Sequence, residues 1–176
     1  MYRALSSLAI AFIPAILACS DSSGPVATTH ISMQDQCDPA TFNAALGPGT
    51  CSRQGSVTFA QFNSELGATH QVAAWRFVPN AITIHVGQAI TAMNNGGEVH
   101  TFTEVAQFGG GIVPGLNQAS GNTTEAPECA ALSNSDFVAA GTTFTSDVAS
   151  TDDAGRIEHY QCCIHPWMRT NVTVKS

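Results

Sequence analysis

The stretch Tyr160-Gln161-Cys162-Cys163-Ile164-His165-Pro166-Trp167-Met168 places a thiol, an imidazole and a thioether within one short loop. Upstream, Asn94-Asn95-Gly96-Gly97-Glu98-Val99-His100-Thr101-Phe102 carries a second histidine just past an alternating apolar run. Two His, one Cys and one Met form the donor set of a trigonal copper site with a weak axial thioether. The reading assigns His100 and His165 as equatorial nitrogens, Cys162 as equatorial thiolate and Met168 as axial ligand. With all four bound, no coordination position stands open for a substrate, which argues for a site that is not an enzyme's.

The segments around these ligands read as strands. Val72 to Val78, Ile82 to Val86 and Gln88 to Met93 alternate, with Ile82, Ile84 and Val86 on one face. Thr101 to Val105, Thr142 to Val148, Arg156 to Gln161 and Asn171 to Lys175 continue the pattern. Short strands punctuated by Gly-rich turns predict an all-β sandwich. Residues 107–136 read as an irregular insert, and its Gly109-Gly110-Gly111 run as a flexible loop. Asp152-Asp153 reads as a turn.

Phe77-Val78-Pro79, Ile82-Thr83-Ile84, Val86-Gly87-Gln88, Asn94-Asn95 and His100 resemble the first half of plastocyanin and amicyanin, blue copper proteins of the cupredoxin family. Ala140-Gly141-Thr142, Tyr160-Gln161-Cys162, His165-Pro166-Trp167-Met168 and Val172-Thr173-Val174 resemble their ligand loop and last strand. The spacing Cys162-x-x-His165-x-x-Met168 is similar to the short amicyanin loop and gives the copper to Cys162. The neighbouring Cys163 leaves a one-residue alternative. The resemblance implies a Greek-key sandwich with one type 1 copper and one-electron transfer between redox partners. It also implies that Thr101 stands where the family often has an Asn bonding to the Cys loop. Pro166 and Trp167 would form an apolar collar around an exposed His165 edge, the expected electron port. Copper delivery, and a copper-free scaffold for protein interaction, are the alternative functions.

The N-terminus reads as a targeting segment. Arg3 precedes the mostly apolar Ala4 to Leu17, which has signal-peptide length. Ile16-Leu17-Ala18-Cys19 resembles a bacterial lipobox, with residues 1–18 removed and Cys19 lipidated; plain secretory cleavage is the alternative. Ser20 in second place resembles outer-membrane sorting. The expected location is the bacterial cell envelope, periplasmic or surface-exposed, with the lipid as sole membrane contact. Residues 19–33 read as a flexible tether, 34–68 as a helical N-terminal extension and 69–176 as the cupredoxin domain. Asp38, Pro39 and Gly47 punctuate one short helix. Phe59 to Leu66 reads as a second, with Thr58 and Gln61 as capping box and Gly67 as terminator, unless Ser56 to Phe59 begins a strand.

Six cysteines in an exported chain invite disulfides. With Cys19 lipidated and one of Cys162 and Cys163 on metal, four remain. Cys37 and Cys51 flank a short segment and are expected to pair. That leaves Cys129 for whichever of Cys162 and Cys163 is not the ligand, Cys163 on the copper assignment above, because neighbours in an extended segment point to opposite faces; other pairings stay open. The net charge of −7 and the lack of a basic cluster exclude electrostatic nucleic-acid binding. An acidic surface suits a basic redox partner, a cytochrome or another copper protein.

Overall fold

The computed structural model describes residues 25–176. The expected signal segment and the expected lipidation position, Cys19, lie outside the described residues. Ten strands and four short helices follow one another in the order β1 (Thr28–Gln34), α1 (Pro39–Leu46), α2 (Phe59–Thr69), β2 (Arg76–Val78), β3 (Ala81–His85), β4 (Ala89–Asn94), β5 (His100–Thr101), β6 (Thr103–Val105), α3 (Pro114–Ala119), α4 (Pro127–Ala130), β7 (Phe137–Val138), β8 (Thr143–Thr145), β9 (Ile157–Gln161) and β10 (Arg169–Lys175).

One four-stranded sheet runs β2-β1-β4-β8 and another β3-β10-β9-β6, while β5 and β7 form a short ribbon. Ile31, Met33, Phe77, Ile90 and Ala92 from the first sheet bury into one core with Ile84, Tyr160, Val172 and Val174 from the second. Two sheets facing across a shared apolar layer fit a β-sandwich. The helices make the whole chain mixed rather than all-β.

Residues 28–33 are not the flexible tether that the sequence predicts but strand. Thr28 to Gln34 pairs in parallel with β4 and antiparallel with β2, so a boundary at residue 33 would cut through an interior strand. Ile31 and Met33 alternate inward at about 1% exposure or less. With only these two apolar positions in a segment otherwise polar, the period was too short to read. The helical segment is therefore not an N-terminal extension but an insertion between β1 and β2.

That insertion is docked rather than loose. Asp38 caps α1 by accepting from the backbone N–H groups of Ala40 and Thr41, and Pro39 opens the helix. Thr58 and Gln61 form the capping box of α2, each cap worth about 1 kcal/mol. Gly67 does not end α2; the helix continues to Thr69 and stops at His70, which takes the left-handed conformation. Phe42 and Phe62 reach the main core through Trp75, with ring centroids 5.7 Å and 4.8 Å from it. The Cys37–Cys51 disulfide staples the segment, and Ser52 N–H donates to Gly97 O on the loop before His100.

The insert at 107–136 is also ordered. It carries α3 and α4, and Cys129 at α4 is disulfide-bonded to Cys163. The glycine run is not a flexible loop. A Cβ on Gly111 would lie 1.8 Å from the carbonyl oxygen of Cys163, and Ile112 N–H donates to that same oxygen at 2.7 Å. Glycine is required there by close backbone approach to the ligand loop. Asp153 accepts from Ser150 in a capped turn, consistent with a local structural role.

Candidate metal centre

Strand β9 ends at Gln161, the chain turns through Cys162 to Met168, and β10 returns beside it in antiparallel register. Cys162 N–H donates to Met168 O, and Met168 N–H donates to His165 O, which closes the loop on itself. His100 enters from the β5 ribbon. Cys162 Sγ lies 3.8 Å from His100 Nδ1 and 3.9 Å from His165 Nδ1. One donor atom from each of the three residues falls within 4.8 Å of the others, and all three side chains are buried. Met168 is buried in the same loop.

Metal bonds of about 2.3 Å to sulfur and 2.0–2.1 Å to nitrogen, spread at about 120°, separate such donors by about 3.8 Å. The two sulfur-to-nitrogen sides of the donor triangle therefore have the length a three-coordinate ion requires. Two N–H groups point at the sulfur, Thr101 N at 3.4 Å and His165 N at 3.5 Å. Burial pushes the Cys162 thiol up, but the two imidazoles outweigh burial and bring it well below its ordinary value. A thiolate held by imidazoles is a soft-ligand site.

Thr101 Oγ1 accepts from Cys163 N–H at 2.8 Å, linking the His100 strand to the Cys loop. Cys163 Sγ faces away into a separate apolar cluster with Val105, Ala126 and Cys129. Cys162 is the free cysteine among the described residues.

The exposed His165 edge expected from the sequence is absent. His165 is 3% exposed, beneath Trp75, Phe62 and Trp167 at centroid distances of 6.4, 6.4 and 5.5 Å. Pro166 is itself buried and Trp167 half-buried, so they line the inside of a lid rather than ring an opening. The helical insertion supplies Phe62 of that lid. Truncating it, Phe62→Ala, is expected to cost about 3–5 kcal/mol. It should also speed oxidation of the reduced site by a small hydrophilic oxidant, measured by stopped flow. An unchanged rate would mean that Phe62 does not shield the centre.

Two residues of the site were not read from the sequence. Asp35 Oδ2 lies 2.8 Å from His100 Nε2, and Glu98 Oε2 lies 3.5 Å from His165 Nε2. Glu98, two residues from His100, was visible as a neighbour; Asp35, 65 residues distant, follows no motif spacing. Asp35 also accepts from Cys37, Gly97 and Glu98 N–H groups, and a Cβ on Gly96 would collide with its carboxylate. The Asn94 to Gly97 turn is thus built around Asp35, with the buried Asn94 amide donating to Glu98 O and Val138 O.

These contacts set the charges of the metal-free protein. Burial opposes ionisation of His100, yet the bonds to Asp35 and Cys162 outweigh it and lift the ring to about 9. Burial likewise opposes the Asp35 charge, and His100 with the loop N–H groups overrides it, to about 2. Burial raises Glu98. A lowered carboxyl adds stability above its ordinary value of 3.8 that is lost as pH falls through about 2. The metal-free protein should therefore lose about 2 kcal/mol over that acid interval through Asp35. Denaturant unfolding against pH would show this limb flattened in Asp35→Asn; an identical limb would remove Asp35 as its source.

No known family's profile matches the chain, and no curated protein matches it. Several solved structures resemble the chain in part. A purple cupredoxin from Nitrosopumilus maritimus shares 17% identity at a TM-score of 0.44, covering 83% of this chain and 98% of that one. Oxidised plastocyanin from Dryopteris crassirhizoma shares 16% at 0.41, covering 84% and 100%. A reduced amicyanin variant shares 19% at 0.37, covering 60% and 78%. Likeness at this level defines no family for the chain, so its chemistry stands on its own residues.

Proposed function

We propose that the protein is an electron carrier holding a single type 1 copper between His100, Cys162, His165 and Met168 in a Greek-key, cupredoxin-like sandwich. The observation that carries this reading is the buried triangle of one thiolate and two imidazoles, its sulfur-to-nitrogen sides of the length a three-coordinate ion requires. Copper bound there would supply a one-electron couple; the chain's residues supply the rest. The loop hydrogen bonds hold the donors in place before binding, and the N–H groups of Thr101 and His165 stabilise charge on sulfur. Phe62, Trp75 and Trp167 keep water off His165. A preformed site rearranges little between oxidation states, which favours rapid transfer over catalysis on a bound substrate.

Burial of every donor atom supports a carrier over an enzyme, since a substrate would have to pass the packed lid. The half-buried Trp167 is the most exposed of the rings against His165 and supports an electron route on that side. Copper delivery is the second reading, and scaffolding the third. Delivery requires release of Cu(I), which the loop hydrogen bonds and aromatic lid oppose.

Two disulfides support export to an oxidising compartment. Among the described residues, no helix is long and apolar enough to cross a membrane. We place the protein in the bacterial cell envelope, anchored by lipid at Cys19, in the outer rather than the inner membrane. Its net charge of −7 suits a basic redox protein as partner. Cyclic voltammetry of the copper-loaded protein tests the carrier reading. A reversible one-electron wave, with no copper passing to a Cu(I) chelator on repeated cycling, is the expected result. Irreversible reduction with copper loss would favour delivery.

A further inference from the structure

Each imidazole of the donor triangle has its outer nitrogen against a buried carboxylate. His100 Nε2 meets Asp35 Oδ2 at 2.8 Å, with both side chains fully buried. His165 Nε2 meets Glu98 Oε2 at 3.5 Å, with side-chain exposures of 4% and 8%. Neither carboxylate is free to turn away. Asp35 is pinned by three backbone N–H donors, and Glu98 Oε2 accepts from the Trp75 indole at 2.7 Å. The carboxylates arrive from the β1 end and from the Gly-rich turn, not from the ligand loop.

An imidazole that gives Nδ1 to a metal keeps its proton on Nε2. A carboxylate accepting that proton's hydrogen bond, as Asp35 does from His100, fixes the tautomer, orients the ring and makes Nδ1 a stronger donor. Glu98 stands at ion-pair distance from His165 Nε2 and acts on it through its charge. An oxidised metal ion carries one positive charge more than the reduced ion. Fixed anions in a water-poor interior therefore favour the oxidised form. We propose that Asp35 and Glu98 are paired positioning residues, which aim His100 and His165 at the metal and tilt the site toward the divalent ion. This rests on reading the triangle as a copper site, and it makes the potential of the centre lower than the four ligands alone would set.

Glu98→Gln is the cleaner variant, because it keeps the shape and an acceptor for Trp75 while removing the charge. Asp35→Asn is the companion, checked for folding by circular dichroism since Asp35 also holds the loop. Two readouts are taken on wild type and variants: Co(II) affinity by direct titration, and the midpoint potential of the copper form by spectroelectrochemistry. In Glu98→Gln the Co(II) dissociation constant is expected to rise about 10- to 100-fold. The ratio of Cu(II) to Cu(I) affinity should fall about tenfold, a midpoint rise of about 59 mV. Unchanged Co(II) affinity and midpoint beneath an intact blue band would overturn the positioning role and leave the carrier reading standing. A wild type without the blue band, but with Co(II) affinity weakened in Glu98→Gln, would sink the carrier reading and uphold the positioning role.

Discussion

Cys162→Ser is expected to abolish the visible thiolate-to-copper absorption altogether, while the double variant Cys129→Ser/Cys163→Ser retains it. The sulfur of Cys162 faces both imidazoles at 3.8 and 3.9 Å and receives two backbone N–H groups. A serine hydroxyl cannot supply a soft anionic donor at neutral pH. Cys163, one residue on in the same loop, points away from the imidazoles, where its disulfide with Cys129 closes a loop of sequence separation 34. Losing that link should lower stability by about 3–4 kcal/mol on the chain-entropy account, without touching the band. Absorption spectra and denaturant unfolding of both variants separate the outcomes. A band that survives in Cys162→Ser would show that the ligand assignment is off by one residue.

Gly111→Ala should have the second largest effect, although position 111 bears no ligand. The added methyl would sit 1.8 Å from Cys163 O and 2.5 Å from its carbonyl carbon, and both are backbone atoms of the ligand loop. Backbone at that distance cannot rotate aside as a side chain can. Either the insert lifts off, losing the Ile112 N–H bond to Cys163 O, or the loop shifts and spreads the donor triangle. We expect a loss of about 3 kcal/mol or more together with a broadened or weakened copper band. Gly115→Ala is the control, since a methyl there meets nothing within 4 Å. If both alanines behaved alike, the insert would not be buttressing the site.

The ligand loop was legible because its chemistry is local. Cys162, His165 and Met168 lie within one tight connection, and His100 follows a strand whose alternation is plain. The strands on either side were legible for the same reason, though Val72 to Trp75 proved a turn before β2 rather than part of it. What escaped was everything set by distant packing. β1 was hidden because only Ile31 and Met33 mark its inner face, the rest of Thr28 to Gln34 being polar, and two apolar positions are too few to show a period. The lid over His165 depends on α2 folding back across the sandwich, and Phe62 is as good a helix-core residue as a shield. Asp35 could not be found by spacing, because the contact that gives it meaning closes across 65 residues.

The lid changes what the site is expected to do. An imidazole open to solvent exchanges electrons with any partner that reaches it. On the carrier reading, His165 at 3% exposure would pass them through Trp167 or through the covalent loop. On that reading the centre would be shielded from small oxidants and selective for a partner that docks against the right ring.

The most direct test of the central claim is the absorption and EPR spectrum of the full protein loaded with Cu(II), with both disulfides verified intact. An intense visible thiolate-to-copper band with small parallel hyperfine splitting is the expected result. A pale spectrum with the wide splitting of nitrogen and oxygen ligands would contradict it, and would mean that Cys162, despite its place between the two imidazoles, does not bind the metal.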